Sequence, residues 1–105
     1  MEPRDPERRR AERFRITVPV RLEQGTGRTR DISTDGVFFE TSQRWLSVGA
    51  PVKLALLFRR VRAGRLPVEV ECEGHVVRVE ELGEQIGVAV VFTAYAFGSE
   101  QLQRA

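Results

Sequence analysis

The sequence predicts an all-β protein, a six-stranded antiparallel barrel, and three observations carry that prediction. Short stretches in which apolar and polar residues alternate recur along the 105 residues, the two-residue period of strands buried on one face. Turn-forming residues separate them at short intervals: Gly25 and Gly27, Asp35-Gly36, and Leu82-Gly83-Glu84. No stretch with helical period and core length precedes the C-terminal end. In so short a chain an open sheet would leave adhesive edges and an uncovered apolar face, so the strands are expected to close on themselves.

Each element follows from its residues. Residues 1–13 contain Pro3 and Pro6 among dense charge, without apolar periodicity, and read as a flexible arginine-rich arm. From Phe14 the pattern alternates strictly, with Phe14, Ile16, Val18, Val20 and Leu22 on the inward face. Pro19 lacks an N–H and belongs at an edge or bulge of that strand. Gln24 to Gly27 turns the chain into a second strand, Arg28 to Ser33, and Asp35-Gly36 turns it into a third, Val37 to Thr41. Residues 42–51 form a crossing connection in which Trp45 reads as a barrel-end plug rather than a base-stacking residue. Val52 to Phe58 is the fourth strand, and the arginine-bearing stretch 59–67 is a hairpin tip. Val68 to Glu80 alternates again, with Val68, Val70 and Cys72 inward, until Gly74 marks a bulge after which the phase cannot be read. The last strand is Gln85 to Phe92, with Ile86, Val88, Val90 and Phe92 inward. The barrel thus spans 14–92, and 93–105 form either a short C-terminal helix or a frayed tail.

Composition bounds the function. With 41% hydrophobic and 30% charged residues, the chain has the make-up of one ordinary globular domain. No apolar run approaches the roughly 18 residues of a membrane span, and the charged N-terminus is unlike a signal peptide, so no membrane insertion and a cytoplasmic location are expected. The single cysteine, Cys72, reads as a small buried apolar residue, and the single histidine, His75, has no metal-ligand spacing to a second donor. No nucleophile elbow or phosphate loop is present. An enzyme is therefore not expected, and neither a metal nor a cofactor is implied. The formal charge is only +2, but its distribution is uneven. The first 30 residues hold nine arginines against five acids, whereas residues 69–84 hold six glutamates against Arg78. Anionic partners should meet the basic end.

Two stretches suit such a partner. Arg8, Arg9, Arg10 and Arg13 offer planar forks of N–H donors that match phosphate oxygens and the O6/N7 edge of guanine. Asp31-Ile32-Ser33-Thr34-Asp35-Gly36 offers the complement: Asp31 as acceptor, Ser33 as donor and acceptor, and Gly36 as a position without a side chain. Arg9-x-x-x-Arg13 followed by Asp31-x-Ser33-x-x-Gly36 resembles the two-part signature of PilZ domains, bacterial receptors for cyclic di-GMP. Val37 to Thr41, Gly49, Gly74 to Arg78 and Ile86 to Phe92 are similar to the family's later phrases in the same order, so the resemblance covers residues 8–92.

The resemblance implies a PilZ-type six-stranded barrel that binds cyclic di-GMP. By the same resemblance, Arg9 and Arg13, helped by Arg8 and Arg10, contact phosphate and guanine edge; Asp31 and Ser33 read the opposite guanine edge; and Gly36 keeps the turn open. Ligand capture would order the arm over the barrel and create a surface for a downstream protein partner in motility, pilus, biofilm or development. Whether Trp45, His75 or Arg78 touches the ligand, and whether the chain is a monomer or a homodimer, is open at this level. The rival readings are a PilZ-fold adaptor that binds no nucleotide and a small basic barrel for single-stranded nucleic acid. The latter needs aromatics among cations on one outer face, and Phe14 is expected inward while Phe38 and Phe39 cannot both be outside. No nucleic-acid partner is therefore expected.

Overall fold

The computed structural model describes residues 12–58 and 68–97. Within them the chain forms β1 (Pro19–Leu22), β2 (Thr26–Ile32), β3 (Gly36–Thr41), β4 (Pro51–Phe58), β5 (Val68–Leu82) and β6 (Gln85–Phe97). Every neighbour is antiparallel, and the order β1-β2-β3-β6-β5-β4 closes into a barrel. Closure leaves one interior, filled by the inward residues of all six strands: Val20 and Leu22, Val37 and Phe39, Leu54 and Leu56, Cys72 and Val76, Val88 and Val90 among them. Phe39 and Val88 are wholly inaccessible to solvent.

Several elements depart from their sequence expectations. The first strand begins at Pro19 rather than Phe14, because a side chain enters the ladder. Val18 N–H donates to Thr29 Oγ1 at 2.8 Å, and Thr29 Oγ1 donates to the Ile16 carbonyl at 2.6 Å. Contact with β2 resumes at Phe14, whose N–H and carbonyl bond Ile32 at 2.8 and 3.0 Å. Phe14 itself is 56% exposed, not inward, since the alternation carries its ring past the end of the core.

At the opposite end the plug is Leu46, buried, whereas Trp45 is 43% exposed and donates its indole N–H to Gln43 Oε1 at 3.2 Å. Val68, expected inward, is exposed beyond the barrel rim. Thr93–Phe97 are not helical: they continue β6, with Ala94 opposite Glu73 and Phe97 opposite Val70. Residues 98–105, the remainder of the expected helix or tail, lie outside the described residues.

Three one-residue bulges explain why the phase became unreadable. Thr29 and Asp31 oppose Phe39 and Phe38, leaving Arg30 extra in β2. Val76 and Arg78 oppose Val90 and Ala89, leaving Val77 extra in β5. At Gly74 the irregularity falls where expected, but the extra residue is Thr93 on the facing strand. Each bulge turns two consecutive side chains to the same face.

Candidate functional site

Two of these bulges build the site. The extra residue at Arg30 brings Asp31 to the outer face, and the extra residue at Val77 brings Arg78 there. Strand pairing then aligns one outward row across four strands: Asp31 on β2, Phe38 on β3, Ala89 on β6 and Arg78 on β5. Three strand spacings of about 4.8 Å make that row about 14 Å long. An open groove of about 430 Å³ runs along it, lined by Arg13, Asp31, Ser33, Gly36, Phe38 and Arg78 among others, a volume within the range of small-molecule sites.

At one end of the row Arg13 meets Asp31. The bridge between Phe14 and Ile32 fixes the preceding residue beside β2, and Arg13 Nη1 donates to Asp31 Oδ1 at 3.5 Å. The arginine side chain is mostly exposed, and so long a surface pair contributes about 0–1 kcal/mol. Such a pair holds Arg13 over the groove yet is cheaply exchanged for a ligand.

The turn between β2 and β3 forms the adjoining wall. Ser33 Oγ accepts the N–H groups of Asp35 and Gly36 at 3.1 and 3.2 Å, while Ser33 N–H donates to the Gly36 carbonyl at 2.9 Å. Ser33 therefore shapes the turn first, and among the described residues its hydroxyl proton is engaged by a long 3.5 Å contact to the Gly36 carbonyl. Gly36 serves strand packing: a Cβ there would stand 2.2 Å from the Val90 carbonyl oxygen, so β3 reaches β6 only with glycine at this position. Its φ is not positive, so the turn itself does not demand it.

At the other end lies a stacking platform. The Phe38 ring rests on the backbone of Gly87, where an added Cβ would stand 2.6 Å from Phe38 Cζ. The Arg78 guanidinium sits over that ring, 5.2 Å from its centroid, within cation–π range. Arg78 Nε donates to Glu80 Oε2 at 3.1 Å, which orients the planar group.

The sequence-level site is thus brought together in part. Arg13, Asp31, Ser33 and Gly36 share the groove; Arg8, Arg9 and Arg10 lie outside the described residues. Sequence reasoning missed Asp35 and Phe38 and left Arg78 open. Trp45 and His75 do not line this groove. The missed signal was register: a bulge has no compositional mark, so nothing in the letters says that Val77 and Arg78 both face out.

A model of the PilZ domain matches residues 7–104, nearly the whole chain. The chain belongs to the PilZ domain family. PilZ domains generally bind cyclic di-GMP, and the groove of this chain is lined by Arg13, Asp31, Ser33 and Gly36 among the described residues. No curated protein and no solved structure gives a significant match to this PilZ chain. Among the described residues no three His, Cys, Asp or Glu side chains are grouped to hold a metal ion, and no helix is long and apolar enough to cross a membrane.

Proposed function

We propose that this PilZ domain binds cyclic di-GMP in the groove between Arg13, Asp31 and the Phe38–Arg78 platform, and that it acts as a cytoplasmic receptor rather than an enzyme. The single observation that carries the reading is the outward row Asp31-Phe38-Ala89-Arg78 with Arg13 above its first member. A carboxylate accepts the N1–H and N2–H₂ of guanine. A guanidinium on a phenyl ring offers a flat, cationic face on which a base can stack.

Charge supports a place for the phosphates in this reading. Within the described groove Arg13 and Arg78 are matched by Asp31 and Asp35, so two cations face two anions and no net positive charge remains for a doubly anionic ligand. The arm arginines Arg8, Arg9 and Arg10 supply the excess in this proposal, with Arg9 and Arg13 acting as a pair. Ligand capture then draws residues 1–13 onto the barrel, and the composite surface of arm, ligand and barrel is what a downstream protein reads.

Amide chemical-shift mapping of the full chain with cyclic di-GMP tests the placement. Shifts are expected at Asp31, Phe38, Ala89 and Arg78 and in residues 8–13, with Lys53 and Glu71 on the far side of the barrel unmoved. A uniform absence of shifts, or shifts confined elsewhere, rejects it.

A further inference from the structure

Past Phe92 the barrel wall loses a neighbour. β3 accompanies β6 from Thr41 opposite Ile86 to Gly36 opposite Val91, with a last bond from Phe92 N–H to the Asp35 carbonyl at 2.8 Å. The next five residues, Thr93-Ala94-Tyr95-Ala96-Phe97, have β5 on one side and no described strand on the other. Alternate residues of an antiparallel strand aim their N–H and carbonyl away from the strand already paired, so among the described residues this edge has backbone donors and acceptors without a strand partner. Proteins usually guard such an edge with lysine, proline or an inward charge. Here there is none: the run is neutral, rich in aromatic β-formers, and its Tyr95 and Phe97 are 50% and 48% exposed.

We propose that two copies of this chain associate through this edge, β6 against β6, antiparallel about a two-fold axis at Tyr95. A strand paired with its own copy is self-complementary under two-fold symmetry. Tyr95 then meets Tyr95 of the second copy, Ala94 meets Ala96, and Thr93 meets Phe97. The exposed rings of Tyr95 and Phe97, on the same face as Cys72 and Val70, extend each core toward the other.

Electrostatics select this occupant. The outward glutamates Glu71 and Glu73 stand opposite Ala96 and Ala94 on β5, so two β6 strands separate the acidic rows of the two copies. That is three strand spacings, about 14 Å, beyond the Debye length of about 8 Å at physiological salt. Like charge does not oppose the pairing, and a neutral edge offers a charged peptide no counter-ion. Five paired residues per copy fall short of the standard interface of about 1,600 Å², so the dimer is weak and forms with rising concentration. The inference is independent of ligand binding.

Sedimentation velocity of the full chain from about 10 μM to about 1 mM is the test. The expected result is a shift from monomer to dimer across that range, with amides of residues 94–97 gaining hydrogen-exchange protection as concentration rises. Tyr95→Lys and Tyr95→Glu each place like charges face to face on the axis and should weaken association at least tenfold, with circular dichroism confirming that each folds. An equimolar mixture of the two variants should associate again. A monomer at every concentration, a dimer indifferent to both substitutions, a mixture that stays monomeric, or protection of 94–97 that ignores concentration would each overturn the proposal, the last by placing the chain's own residues on the edge.

Discussion

Arg78 and Phe38 lie on strands that are not paired with each other, yet the guanidinium of one stands 5.2 Å from the ring centroid of the other. β6 runs between them, and it presents only Ala89 and Gly87 at this point, so the two long side chains meet over a strand with almost no side chain of its own. The platform thus depends on a bulge, a small residue and a glycine together.

Removing either partner of this platform should weaken cyclic di-GMP binding while leaving the fold intact. Arg78→Ala is expected to cost about 1–3 kcal/mol, roughly one to two orders of magnitude in Kd. Arg78→Lys should restore little of it, because an ammonium neither stacks nor forks. Calorimetry on both variants checks this, and full rescue by lysine would show that only charge matters there.

Because the described groove balances its own charges, affinity should depend steeply on salt through the arm. The triple variant Arg8→Ala, Arg9→Ala, Arg10→Ala is expected to lose about two orders of magnitude or more and to flatten that dependence. Binding isotherms at low and high salt measure both effects.

Stability should hinge on one hydroxyl. Thr29→Val keeps the shape but deprives the buried Val18 N–H of its acceptor, which costs about 1–3 kcal/mol. Thermal or urea unfolding gives the value; an unchanged midpoint would mean that water or backbone satisfies that group.

Gly36→Ala drives a methyl against the Val90 carbonyl oxygen and should destabilise the fold by about 1–3 kcal/mol. The prediction separates a packing role from a ligand role, since the loss appears in unfolding curves recorded without nucleotide.

Burial pushes the Cys72 thiol up to about 12, with Glu71 adding to the effect. The unfolded thiol titrates well below that, so the unfolded state loses its proton first as pH rises. Cys72 therefore contributes stability that is fully present below the unfolded value and declines between it and about 12. Alkylation should be slow in the folded protein at mildly alkaline pH and fast in denaturant; rapid labelling without denaturant would contradict the burial.

Much of the architecture was legible because strand alternation and turn residues are local properties. Val18, Val20, Leu22, Cys72, Ile86, Val88 and Val90 could be assigned inward from period alone and are buried, and the barrel followed from the number and spacing of such strands. What escaped the letters was non-local. A strand that binds the Thr29 hydroxyl in place of a backbone group looks like any alternating strand, and the extension of β6 through Tyr95 depends on β5 running beside it. Half of the groove was visible in Arg13, Asp31, Ser33 and Gly36. The other half depends on register across three strand boundaries, and the roles of Ser33 and Gly36 in the turn and in β3–β6 packing emerged only with the backbone in view.

In the proposed receptor, guanidinium groups and the Asp31 carboxylate hold cyclic di-GMP on the outer face of the barrel. Titration calorimetry of the full chain with cyclic di-GMP, and with GTP as control, tests it most directly. Saturable heat is expected with the cyclic dinucleotide, none with GTP, and affinity at least tenfold weaker in Arg13→Ala and in Asp31→Ala. Absence of saturable heat, or equal affinity in the wild-type chain and both variants, would contradict it.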